Sequence, residues 1–219
     1  MPDNIDTVGQ EAIDHLTLKH AARERALPKS RATIRFCANS IRATHRQELQ
    51  AAEELMAQAA RLLAEMAADL QDHQDIYYAG FVQDAQKEYA EAMSFAALTR
   101  HSPLPTASEL SIGNAAYLNG LAEAVGELRR YVLDQLRRGN FDDCEVFLRY
   151  MDDIYALLIT IDFPDAITAG LRRTTDATRG ILEKTRGDLT TAINQAQLQQ
   201  TMQSLQRELQ RHKPPEAGS

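Results

Sequence analysis

Tryptophan is absent from the sequence, and cysteine occurs only twice, at Cys37 and Cys144. Two cysteines are too few for a disulfide framework or a zinc site. Both are expected reduced and half-buried in helices. No apolar run approaches the roughly 20 residues of a membrane span, so no membrane partner is expected. The segment Met1-Pro-Asp-Asn-Ile-Asp6 is acidic and polar, unlike a signal peptide, and the expected location is cytoplasmic. There is no glycine-rich phosphate loop, no dinucleotide-binding glycine fingerprint, no nucleophile motif and no His-Glu-x-x-His. His15 and His20 are five apart and do not share a helix face. The other histidines are scattered singly and read as surface residues.

Glycine and proline are also sparse, 10 and 7 of 219 residues, while Ala, Leu, Gln, Arg and Glu dominate. That mixture favours helix nearly everywhere. A first helical region is expected from Val8 to Arg46, with Pro28 as a kink or break. A second covers Gln47 to Gln71, with Leu55, Ala59, Leu62, Met66 and Leu70 at helical intervals. A third covers Asp75 to Thr99. His101-Ser-Pro-Leu-Pro-Thr-Ala-Ser108 reads as a loop, and a fourth helix is expected from Ser108 to Arg138. A fifth opens at Asp142 and Asp143, where acids complement the helix dipole, and closes at Asp162-Phe-Pro-Asp165. A sixth reaches Ile193, and the glutamine-rich stretch to His212 extends it. The expected fold is all-α: one single-domain bundle of six to seven long helices over residues 1–212, with a loose tail at 213–219.

Charge is unevenly placed. From Lys19 to Arg46 there are eight basic residues and one acid, a local +7, in a chain whose net charge is −7. The rest of the chain therefore carries −14. Such asymmetry fits either an anionic partner at one surface or basic and acidic helices paired within the molecule.

Four glutamates stand out against this background. Glu88 and Glu91 are three apart and Glu123 and Glu127 four apart, so on helices each pair shares a face. Spacing of this kind also describes an ordinary solvated face. The flanks are unusual, however: Leu121, Ala122, Ala124, Val125 and Leu128 surround one pair, and Tyr89, Ala90, Met93 and Phe95 the other. Acids in such settings are often partly buried and then need a cation or a proton. A di-iron bundle needs Glu-x-x-His, and neither Glu88 nor Glu91 has histidine three residues on. That excludes di-iron and leaves two readings, a solvated pair of helix faces or a carboxylate cluster suited to a hard divalent cation.

At these residues the sequence resembles the translin family, in its translin-associated factor X (Trax) branch. The run Glu88-Tyr-Ala-Glu-Ala-Met-Ser-Phe95 is similar to the Trax Glu-Tyr-Val-Glu-Ala-Val-Ser-Phe run. Tyr117-Leu-Asn-Gly-Leu-Ala-Glu-Ala-Val-Gly-Glu-Leu128 is similar to Tyr-Leu-Leu-Gly-Val-Ala-Asp-Leu-Thr-Gly-Glu-Leu. Arg138-Gly-Asn-Phe-Asp-Asp143 and Phe147-Leu-Arg-Tyr150 also match a family segment.

The resemblance implies a translin-like helical fold assembling as a hollow octamer, built by one subunit type in an archaeal-type homologue. It implies a Mg²⁺-dependent endoribonuclease acting on single-stranded RNA inside that shell, with Mn²⁺ able to substitute. Glu88, Glu91, Glu123 and Glu127 would be the catalytic acids, and Glu88, Glu91 and Glu123 the metal ligands. Glu123 stands where the family has aspartate, one methylene shorter. The competing reading is a translin-type protein that binds single-stranded RNA or DNA and cuts nothing. The family often carries His and Arg just before the Glu-Tyr run. Here Tyr77-Tyr-Ala-Gly-Phe81 has no base, so RNA contacts are expected from the +7 segment, at Arg31, Arg35 and Arg42, followed by Lys19 and Arg23.

Overall fold

A computed structural model describes residues 4–211, so the tail assigned to 213–219 lies outside the described residues. Among these it contains eight helices and no strand: α1 Ile5–His45, α2 Leu49–Asp69, α3 Gln74–Tyr77, α4 Gly80–Thr99, α5 Asn114–Arg137, α6 Asp142–Leu158, α7 Asp165–Thr168 and α8 Leu171–Arg211. Six are long and form the bundle; α3 and α7 are single turns. No helix among the described residues is long and apolar enough to cross a membrane.

The core sits where apolar stripes meet. On α5, Leu121, Val125, Leu128 and Val132 recur at helical period and are buried. They face Phe95 of α4 and Phe147, Met151 and Ile154 of α6. A second cluster, Ala22, Ala26, Met66, Leu70, Ile76 and Val82, joins α1, α2 and the start of α4. α5 is thus the central helix, packed against α4, α6 and α8, while α1 lies across α2 and α4.

Four sequence expectations change. Pro28 lies inside α1 and does not break it. Proline in a helix interior costs about 3 kcal/mol, but packing on both sides holds this helix. Ala26 and Ser30 are buried, and Ser30 Oγ donates to Phe81 O at 2.6 Å. The third expected helix is divided, because the chain leaves helix after Tyr77 and restarts at Gly80. The fourth starts at Asn114 rather than Ser108. Thr106 and Glu109 form a reciprocal capping box: Thr106 N–H donates to Glu109 Oε2 at 2.7 Å, and Glu109 N–H to Thr106 Oγ1 at 3.2 Å. The turn they nucleate stops at Ser111, whose φ of 55° is left-handed. Finally, both cysteines are fully buried rather than half-buried, free thiols of α1 and α6.

The hydrogen bonds of one buried side chain fix α5 relative to α7 and α8. Asn119 Nδ2 donates to Ala115 O and Thr168 O, both at 2.9 Å, and its Oδ1 accepts from Thr174 Oγ1 at 2.8 Å. A buried amide satisfied on both sides sets rotation as well as distance. One turn further on lies Glu123.

Candidate metal centre

The helix faces anticipated for the glutamates exist, and they meet. Glu88 and Glu91 of α4 and Glu123 of α5 each present a carboxylate oxygen, and these oxygens lie within 4.8 Å of one another. α4 and α5 approach this closely because Gly120 has no side chain. A Cβ there would lie 2.3 Å from Lys87 O, 2.7 Å from Ala90 Cβ and 2.9 Å from Glu91 N. All three glutamates are partly buried. Among the described residues, neither Glu88 nor Glu91 has a hydrogen bond or ion pair.

The electrostatics follow from this crowding. Burial, then the charges of Glu88, Glu123 and Glu127, push the Glu91 carboxyl up to about 8, opposed by Lys87. Burial and Glu123 also raise Glu88. On α1, burial and the charges of Glu88 and Glu91 hold the Cys37 thiol well above its usual range. That places α1 against the same cluster and makes Cys37 a neutral wall.

One cation meets the cluster, Lys87, whose Nζ donates to Glu123 Oε1 at 2.8 Å. Burial pulls the Lys87 ammonium down, but the hydrogen bond and charge of Glu123 outweigh it, and the net shift is upward.

Glu127 stands beside the three rather than among them. Its Oε2 lies 2.5 Å from His45 Nε2 of α1 and 3.7 Å from Arg130 Nη1. The His45 hydrogen bond is the main cause that lowers the Glu127 carboxyl, keeping it ionised. An ionised carboxylate only accepts, so His45 Nε2 carries the proton between them. His45 is buried, 4.7 Å from the Phe95 ring between centroids, and its Nδ1 has no hydrogen-bond partner. The expectation of a surface histidine fails here. The two residues are 82 apart in sequence, and no local pattern links them; the only available signal was that His45 follows a buried helical register of Cys37, Ile41 and Thr44.

The structure also sorts the basic segment. Lys19 pairs with Asp75, Arg23 with Glu24 at 2.7 Å, Lys29 with Glu65 and Asp69 at 2.9 Å each, and Arg46 with Glu48 at 2.6 Å. Arg31, Arg35 and Arg42 are exposed and have no acidic partner among the described residues. Arg42 touches only Asn39, and Arg35 lies over the Phe36 ring. At 100° per residue the three fall within about 40° of arc on α1.

The donor set is wholly carboxylate oxygen, which suits Mg²⁺ or Mn²⁺. Opposed ligands about 2.1 Å from Mg²⁺ are about 4.2 Å apart, so small side-chain rotations adapt the cluster to an ion. A proton competes for the same site. With Glu91 titrating near 8 instead of 4.5, the fold holds an extra proton between these values. The metal-free protein therefore loses stability as pH rises from about 4.5 to about 8. Ion binding needs the charged form, so Mn²⁺ affinity is expected to rise about tenfold per pH unit towards pH 8 and to level above it. Calorimetric Mn²⁺ titration at stepped pH checks this, and Glu91→Gln should abolish the dependence while stabilising the metal-free protein at alkaline pH.

Comparison with known proteins agrees with the fold. An uncharacterized protein of Methanocaldococcus jannaschii is 31% identical over 199 residues, covering 89% of this chain and 86% of that protein. AfC3PO superposes with a TM-score of 0.77 at 34% identity, covering 84% of this chain and 95% of its own. AfC3PO in complex with duplex RNA gives the same TM-score at 33% identity and the same coverage. Apo-NeC3PO, at 19% identity, shares the fold with a TM-score of 0.75 over 88% of this chain and 98% of its own. The translin family profile matches residues 23–211, and with the relative at 31% identity this makes the chain a member of the translin family.

Proposed function

We propose that this protein binds RNA and cleaves it as a divalent-metal-dependent endoribonuclease of the catalytic, Trax-like type, acting on single strands within a homo-oligomeric, octameric shell. The carrying observation is the convergence of Glu88, Glu91 and Glu123. Three crowded carboxylates, one of them pushed up to about 8, support an ion-binding role over strand binding alone. Family membership and the relative held in a complex with duplex RNA support the RNA-binding part.

Glu88, Glu91 and Glu123 would hold the ion. When bound, it supplies Lewis-acid polarisation of the scissile phosphate and neutralises developing charge. Glu127, kept ionised by His45, would accept a proton from the attacking water. His45 Nε2–H fixes the carboxylate's orientation, and Phe95 limits the ring's motion. Arg31, Arg35 and Arg42 track the phosphate backbone without reading bases.

Purified full-length chain should cut single-stranded RNA in Mg²⁺ or Mn²⁺, leave 5′-phosphate ends and stop in EDTA. Duplex RNA, which the relative AfC3PO holds, is assayed beside it and should be cut more slowly. Undiminished cleavage in EDTA would sink the metal mechanism, and gel shift without cleavage in both metals would favour the binding-only reading. The arginines make a separate prediction. For a single strand the slope of log affinity against log salt is about −0.7 per phosphate contact. The triple variant Arg31→Ala, Arg35→Ala, Arg42→Ala should flatten that slope by about 2 and weaken all sequences alike, whereas Lys19→Ala and Arg23→Ala should change it little.

A further inference from the structure

Lys87 occupies a position that its sequence neighbours do not explain. It precedes Glu88 on α4, yet its ammonium reaches across to α5 and donates to Glu123 Oε1 at 2.8 Å. The side chain is 27% exposed at this contact, and Glu123's is 35% exposed. Its ammonium thereby joins α4 to α5 at the edge of the cluster, one residue before Glu88 and bonded to Glu123. On the far side of the cluster Glu127 has its own partners, His45 and Arg130.

Phosphodiester-cleaving sites commonly hold two ions about 3.5–4 Å apart, joined by a carboxylate that gives one oxygen to each. Glu123 is arranged in that manner. Its Oε1 is taken by Lys87, and its second oxygen has no hydrogen bond among the described residues. Charge agrees with the geometry. Three carboxylates exceed one divalent ion by a single negative charge, and one ammonium supplies the balance. A second divalent ion would have to displace Lys87 from Glu123 and would leave a surplus of positive charge beside it.

We propose that Lys87 takes the place of a second metal ion, so that the centre binds one divalent cation per chain with the Lys87 ammonium as its fixed partner across Glu123. This rests on the metal-site reading above and deepens it. Lys87 is then a positioning residue: it acts through Glu123, and its charge decides how many ions the carboxylates accept. Lysine suits this role because the ammonium is a compact point charge.

The test counts ions. Mn²⁺ is titrated into the full-length protein at physiological salt and mildly alkaline pH, and free Mn²⁺ is followed by electron paramagnetic resonance. Wild type should bind one ion per chain, Lys87→Gln two, and Lys87→Arg one. Far-UV circular dichroism of each variant establishes that the helices are intact. One ion in Lys87→Gln, at whatever affinity, overturns the proposal, as do two ions in wild type. A different failure marks the underlying reading: if Glu123→Ala binds Mn²⁺ as wild type does, or wild type binds none, the carboxylates are not the metal site. A purely structural lysine would change stability and leave the count at one.

Discussion

Glu123→Ala should lower cleavage by about 10²–10³-fold, the scale expected when one preorganised electrostatic contact to the transition state is removed. The fold should survive. Glu123 is on a partly exposed face of α5 and anchors nothing in the apolar core. Alanine is the better helix former, and the lost Lys87 pair is a half-exposed one of the kind worth about 1 kcal/mol or less. Loss of activity with an unchanged thermal midpoint therefore isolates chemistry from folding. Glu123→Asp sharpens the result. Aspartate is the residue the Trax resemblance places at this position, so the variant should exceed Glu123→Ala in both cleavage and Mn²⁺ affinity. If alanine cleaves as fast as wild type, the three-glutamate centre has no part in the reaction.

The residues most easily recognised in the sequence were those whose partners lie within a turn or two. Glu88 with Glu91 and Glu123 with Glu127 declare shared faces by spacing, and their apolar flanks foretell burial; both pairs lie on helices that touch. Relations across helices were not legible. Lys87 stands in the same run as Glu88, but that its ammonium belongs to Glu123 depends on how closely α4 and α5 approach, which Gly120 permits. His45 reads as a surface residue, because nothing near it in sequence hints at Glu127. Equally, the +7 segment fitted both an anionic partner and internal pairing, and the structure contains both. Lys19 and Lys29 meet acids of other helices, while Arg31, Arg35 and Arg42 remain exposed. Helix ends failed for local reasons. A capping box at Thr106 has the pattern of a helix start but yields one turn, since Ser111 turns left-handed. Pro28 has the pattern of a break, yet tertiary packing overrides it.

Gly120→Ala should be the most damaging glycine-to-alanine change among the described residues. The added carbon would meet Lys87 O at 2.3 Å, and the next atoms are Ala90 Cβ and Glu91 N. Two of these three are backbone atoms of α4, which cannot rotate away as a side-chain tip can. Relief therefore requires α4 and α5 to separate. Overpacking of a well-packed contact costs about 1–3 kcal/mol, and a clash with backbone belongs at the upper end. Alanine's better helix propensity returns only about 1 kcal/mol. For a domain of this size each kcal/mol moves the melting midpoint by about 2–4 °C, so a net cost of about 2 kcal/mol lowers it by roughly 4–8 °C. The second consequence is chemical and separable by temperature. Lys87, Ala90 and Glu91 lie on the helix segment that carries Glu88 and Glu91, so helix separation moves those carboxylates away from Glu123. A displacement of about 1 Å can cost about 10²-fold in rate. Assayed well below its melting midpoint, folded Gly120→Ala should therefore bind Mn²⁺ more weakly and cleave about 10²-fold more slowly. Gly126→Ala is the control: it lies on the same helix, and a Cβ there meets nothing within 4 Å, so it should be neutral or mildly stabilising. Wild-type Mn²⁺ affinity in folded Gly120→Ala would show that the closeness of α4 and α5 serves packing alone.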